Sequence, residues 1–235
     1  ERDNIIQREY EEMPFLIPDR KDPRLQKILR YMEQLEALLS GPGDFYDLEK
    51  EKKQREIEQA MHQLVYELYG LHPVEQQLVE DMIEYGIGFF EWARRKTRQF
   101  GGTPAVQRPG LEMLTTYANT FRRTATAILR VKNKALNTTV YQNGAPLTVI
   151  TFDLVTAAEK KETVTIVEQA GAMRTKLRQL DSLLLEQKTA SMYMQRHIRV
   201  YDGQQLSLVR PSEQRFWTQS QARADADAFI AELTT

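Results

Sequence analysis

Apolar residues recur every three or four positions through residues 1–100, then at alternate positions around Asn143-Gly144. The first spacing buries one face of a helix; the second half-buries a strand. No single-class fold satisfies both. The chain is therefore expected to be mainly α with a C-terminal α+β part: a helical hairpin or bundle, then a small domain with antiparallel β-hairpins.

In "DPRLQKILRYMEQLEALLSGPG", Asp22 is placed to cap a helix and Pro23 to occupy its first turn, where a missing N–H costs nothing. Leu25, Ile28, Leu29, Met32, Leu35, Leu38 and Leu39 form its apolar row, and Gly41-Pro42-Gly43 ends it. A second helix is predicted from about Leu48 to Leu71, solvated along "EKEKKQREIEQ" and apolar at Ile57, Met61, Leu64, Val65 and Leu68. Gly70 is suited to a left-handed helix end. Pro73 opens the next helix, with Leu78, Val79, Met82 and Ile83 as its stripe, which predicts an αα-hairpin near 48–98. Phe89, Phe90 and Trp92 follow closely.

The Gly- and Pro-bearing stretch "FGGTPAVQRPG" is the expected boundary. This gives a helical scaffold at 1–100, a linker at 101–110 and an α+β domain at 111–235. In the last, Leu111, Leu114, Ala118, Phe121, Ala125 and Ile128 predict a long amphipathic helix. Asn143-Gly144 and Asp202-Gly203 predict hairpin turns, and "ETVTIVE" a further strand. "GAMRTKLRQLDSLLLEQ" and "SQARADADAFIAEL" return to helical spacing.

Composition excludes several chemistries. With 235 residues and a net charge of −1, the chain is large enough for a core and is no indiscriminate polyanion binder. It has no cysteine, which removes disulfides and thiolate catalysis and fits a reducing cytoplasm. His62, His72 and His197 are too scattered for a histidine-rich metal site. No run approaches the ~18 apolar residues of a membrane span. The polar opening "ERDNIIQREYEE" has no leader pattern and no initiating Met, so an excised piece of a longer protein is expected.

Catalytic motifs are missing. There is no Gly-x-Gly-x-x-Gly after a strand, no phosphate loop, no Gly-x-Ser-x-Gly elbow and no adjacent prolines for a Pro-Pro-aromatic methyltransferase motif. One pattern, Asp153 with Glu159 and Lys161, matches the carboxylate–lysine spacing of metal nucleases. A solvated loop after a hairpin explains it as well, because Glu-x-Lys recurs at Glu51/Lys53 and Glu186/Lys188.

Basic segments carry the binding signal. Between Glu112 and Asp153 no acid occurs, while Arg122, Arg123, Arg130, Lys132 and Lys134 do. Between Glu186 and Asp202 the same holds for Lys188, Arg196, His197 and Arg199, beside Tyr193 and Tyr201. Such residues hold phosphates and stack bases. The candidate DNA contacts are Arg122, Arg123, Arg130, Lys132, Lys134, Arg196 and Arg199. The opposing expectation pairs them with the acidic helices of the first half. Trp217 is expected to be a core anchor of the α+β part.

The run Leu64-Val65-Tyr66-Glu67-Leu68-Tyr69-Gly70-Leu71, within Ile57–Glu80, resembles a helix near the C-terminus of type IIG-like restriction–modification enzymes and adenine-specific DNA methyltransferases. A related form occurs in type I specificity subunits. His72-Pro73-Val74 departs from the Thr and acids that follow in that family, and only Glu75 keeps the acidic character. The tail from Arg196, with Trp217, Thr218, Ser220, Ala222, Asp225, Ala226 and Asp227, resembles ends of methyltransferase-like proteins of phage-defence loci.

This resemblance implies a non-catalytic C-terminal scaffold or accessory region of an adenine-specific DNA methyltransferase or restriction-type antiphage enzyme. Methyltransferase and target-recognition domains, or other subunits, would be its partners, with duplex DNA as a further one and no membrane. S-adenosylmethionine would belong to the parent enzyme, with no cofactor in this chain. The alternative is a stand-alone interaction subunit of a multi-subunit assembly, using Phe89, Phe90 and Trp92.

Overall fold

Asp22 caps the first helix as expected: its carboxylate accepts the Arg24 backbone N–H at 2.8 Å, and Pro23 begins the helical turn. The computed structural model describes residues 18–40, 48–87, 107–186 and 197–234. Two compact units divide the chain, Glu1–Gln76 and Gln77–Thr235. The division falls inside a helix, upstream of the expected 101–110 linker, of which 101–106 lie outside the described residues.

In the first unit, α1 (Pro23–Ser40) and α2 (Leu48–Tyr69) form an antiparallel hairpin. Arg24, at the start of α1, donates to the Glu67 carbonyl near the end of α2 at 3.1 Å. Ile28, Ile57, Leu64 and Tyr66 are its buried side chains. Gly70 takes φ +64°, which lets the Leu71 N–H reach back to the Tyr66 carbonyl at 2.9 Å. The Leu-Tyr-Gly-Leu run is thus a helix end with a six-to-one closure. Glu75 then accepts the His72 N–H at 2.7 Å and caps α3 (Pro73–Asp81).

A hairpin forms between α1 and α2; of the expected hairpin near 48–98, residues 88–98 lie outside the described residues. Of the expected second stripe, Leu78, Met82 and Ile83 are exposed and Val79 is half-buried, and Met82–Ile87 continues as a π-helical turn. Phe89, Phe90 and Trp92 lie outside the described residues.

The second unit is the α+β part. After α4 (Leu111–Val131), Asn133 at φ +52° turns the chain into β1 (Lys134–Tyr141). There follow β2 (Leu147–Thr156), β3 (Thr165–Val167), α5 (Ala170–Glu186), β4 (Ile198–Asp202), β5 (Gln205–Pro211) and α6 (Gln219–Thr234). The sheet order is β3-β1-β2-β5-β4. Both predicted hairpins are present, with Gly144 at φ +75° and Gly203 at φ +57° in their turns. The β1/β3 pair is parallel, so the sheet is mixed.

Alternation along β2 and β5 gives the sheet two apolar faces. Ile150, Phe152, Leu206 and Leu208 face a core with Leu114, Tyr117, Phe121 and Leu129 of α4, Phe229 of α6, and Trp217. Val149, Val200 and Val209 face Met173 and Leu180 of α5. Phe121 stacks on Phe152 at 3.9 Å between ring centroids. Lys176 of α5 is buried against the second face, where its amine donates to Gln179 and Gln205. Burial pushes that amine down, against the pull of Asp153 and Asp202.

The start of α6 is capped twice. Thr218 Oγ1 accepts the Gln221 N–H at 3.3 Å, and buried Asp81 accepts the Ser220 N–H at 2.9 Å. This bond ties the end of α3 to the start of α6 within the second unit.

Candidate nucleic-acid interface on the fourth helix

Every α4 residue that turns away from the sheet between positions 119 and 130 is polar or small. Asn119, Arg123, Thr126, Ala127 and Arg130 form one helical face, at spacings of three and four. Across from them lie Lys134 and Ala135 at the start of β1, and Ala157, Lys160 and Glu162 in the segment after β2. Between these walls is a recess of about 590 Å³. Five cationic side chains line it, Arg122, Arg123, Arg130, Lys134 and Lys160, against the one carboxylate of Glu162.

These cations differ in how they are held. Arg122 is buried, donating to the Glu162 carbonyl at 3.0 Å and to the Lys161 carbonyl. It ties the segment before β3 to α4 and fixes the floor of the recess. Lys160 pairs with Glu162 at 2.9 Å, which holds that carboxyl below its usual range. Lys134 lies near Glu159, whose carboxyl is held low mainly by the Thr156 hydroxyl. The Arg123 and Arg130 guanidinium groups are exposed, with no hydrogen-bond or ion-pair partner among the described residues. A guanidinium without a counter-anion is free to take a phosphate bidentately.

The other expected contacts lie elsewhere. Lys132 donates to the Leu233 carbonyl at 3.4 Å, at the C-terminal end of α6. Arg199, on the β4 edge, binds Asp225 at 2.9 Å and Glu232 at 3.7 Å. The opposite edge is β3, beside which Arg122 is anchored, so the sheet separates Arg199 from the recess. The neutralising acids come from α6, not from the first half as expected. His197 packs edge-on to Phe216 at 5.2 Å, while Lys188, Tyr193 and Arg196 lie outside the described residues. Four of the seven expected cations therefore share one recess, and Lys160 joins them. The only signal for Lys160 was its place in the segment after a predicted hairpin.

The three residues of the nuclease-like pattern make contacts within the fold. Asp153 accepts the Gln205 side-chain amide, and Glu159 caps Thr156 through its hydroxyl at 2.8 Å. The Lys161 N–H donates to Asn137 Oδ1 at 2.6 Å. No group of three or more His, Cys, Asp or Glu is positioned for a metal among the described residues.

Asp225 of the tail motif belongs to a buried ionic centre. Arg210 of β5 donates to Asp225 at 2.6 Å, to the Phe216 carbonyl at 3.1 Å and to the Tyr117 hydroxyl at 3.3 Å. Tyr117 donates to the second Asp225 oxygen at 2.5 Å. Trp217 is wholly buried beside it, as expected of a core anchor. Among the described residues, no helix is long and apolar enough to cross a membrane. In comparisons with known proteins, no family model, curated protein or solved structure matches the chain.

Proposed function

We propose that the chain is a non-catalytic accessory region of a DNA-modifying enzyme, an adenine methyltransferase or restriction-type defence protein, and that its α+β unit contacts DNA through the α4 recess. The observation that carries the DNA contact is the pair Arg123 and Arg130, exposed without anions beside a floor and a facing wall made basic by Arg122 and Lys134. The resemblance of Leu64–Leu71 and of the tail supports the choice of enzyme class. In that reading α1 and α2 serve as support, and methyl transfer with S-adenosylmethionine takes place in the parent enzyme's other domains.

Fluorescence anisotropy with duplex DNA across a salt series tests the contact. Arg123→Gln with Arg130→Gln should weaken binding by roughly tenfold to a hundredfold, each lost contact being a charge-assisted bond. The slope of log affinity against log salt should fall by about two. Unchanged affinity in the double variant would remove the recess from the account.

A second reading, a stand-alone interaction subunit, draws on the first unit. Leu29, Met32 and Leu39 of α1 are exposed and, with Met61 of α2, line an apolar groove of about 620 Å³. Exposed apolar rows of this kind mark protein contacts. Recovery of the chain as a monomer that binds duplex DNA without another subunit would speak against it.

A further inference from the structure

The recess also constrains the form of nucleic acid, given the proposed DNA contact. We infer that the α4 recess holds the sugar–phosphate backbone of a duplex, without reading bases and without stacking them.

Shape is the first argument. A helix that reads base edges must project into the major groove. Here α4 lies flat on the sheet, with Leu114, Tyr117, Phe121, Ala125 and Leu129 buried, and its basic face forms one wall of a concavity. A concave site receives a ridge, and the ridge of a duplex is its backbone.

Chemistry is the second. Single-strand sites combine positive charge with aromatic side chains on which bases stack. Among the described residues the recess is lined by no aromatic side chain; its apolar lining is Ala127, Ala135, Ala157 and Leu136. Base-edge readers are scarce as well. Thr126 spends its hydroxyl on the Arg122 carbonyl at 2.6 Å, which leaves Asn119 as the uncharged amide at the site. A site that works by charge alone favours the ligand of highest linear charge density. A duplex carries one phosphate per about 1.7 Å of axis, twice the density of a single strand.

Rigidity is the third. Arg123 and Arg130 are seven residues apart, so they share a helical face about 10 Å apart along its axis. Arg122, fixed by two carbonyls, holds the opposite wall at a set distance from them. The helix thus carries the two cations at a set spacing along its axis, suited to a regular phosphate array and indifferent to its sequence.

The full chain is titrated into duplexes of about 20 base pairs with unrelated sequences, and into their separated strands, by fluorescence anisotropy at low salt. Dissociation constants should agree within about threefold among duplexes, because backbone contacts carry no sequence information. The single strands should bind several-fold more weakly, with a shallower salt dependence. The Arg123→Gln/Arg130→Gln variant should lose affinity by the same factor on every duplex, with an unchanged melting curve, since both positions are exposed and glutamine is a good helix former. Single strands that bind as tightly as duplexes, or a tenfold preference among duplex sequences, would overturn this inference and leave the DNA contact standing. No binding to any of these probes at low salt would overturn both.

Discussion

Asp225→Ala leaves Arg210 as a buried cation without its carboxylate, and the α+β unit should lose about 3–5 kcal/mol of stability. The side chains of both residues are 1% exposed, so water cannot replace the missing partner. Arg210 would keep only the Phe216 carbonyl and the Tyr117 hydroxyl, and Tyr117 would lose its acceptor. Arg199 is less affected, being partly exposed and retaining Glu232. Urea unfolding followed by circular dichroism measures the loss. A change under about 1 kcal/mol would mean that the ionic centre is dispensable. Replacing the pair together, Arg210→Met with Asp225→Leu, should recover much of the stability, because apolar packing removes the desolvation cost of both ions.

The same centre sets an acid limit. Burial pushes the Asp225 carboxyl up, but the Arg210 bond and charge, with Tyr117 and Arg199, pull it below its ordinary value. A carboxyl lowered in the folded state contributes stability that is complete above the unfolded pKa, about 3.9, and is lost as pH falls through the folded value. The unit should therefore weaken below about pH 4, and the Asp225→Ala variant should show a flatter stability profile there.

Trp217→Ala should cost about 3–5 kcal/mol, the range for emptying a large aromatic site. The indole is fully buried and meets Tyr117 edge-on at 5.1 Å between centroids. Its N–H donates to the Pro211 carbonyl at 3.0 Å, and the Arg210 guanidinium lies 5.6 Å from its ring centre. Trp217→Phe keeps a ring but leaves the carbonyl without its donor, so a smaller loss of about 1–3 kcal/mol is expected. Because Trp217 and Asp225 both act on Arg210, their combined effect should fall short of the sum. Full additivity in the double variant would show that they serve separate parts of the core. A Trp217→Ala protein with unchanged unfolding would remove the core role altogether.

Local features were legible before the fold was known. Asp22, Gly70 and the Asn143-Gly144 and Asp202-Gly203 turns act through neighbours a few residues away, so their chemistry identifies them. Of the expected α4 row, Leu114, Ala118, Phe121 and Ala125 are buried, Ile128 is half-buried and Leu111 is exposed, while Tyr117 escapes the pattern because its hydroxyl reads as polar until a buried acceptor appears. What depends on distant partners stayed hidden. Asp225 lies 108 positions from Tyr117 and 26 from Arg199, and Asp81 lies 139 from Ser220. Periodicity carries no record of such pairings. The same limit applies to the cations: their positions were plain, but whether an acid neutralised each one was not. Arg199 and Arg123 look alike in sequence; one is paired by α6, and the other faces the recess without an anion. In the expected stripe of Leu78, Val79, Met82 and Ile83 only Val79 is half-buried, because a helical row signals burial only where a second element covers it.

The most direct test of the α4 recess as the DNA contact is an amide chemical-shift map of the labelled chain titrated with duplex DNA. The account predicts shifts concentrated at Asn119, Arg123, Thr126 and Arg130 and in the segment 157–162, with β4 and α5 unmoved. Shifts centred on Arg199 and α6, or on the exposed row of α1, with α4 unmoved, would contradict it.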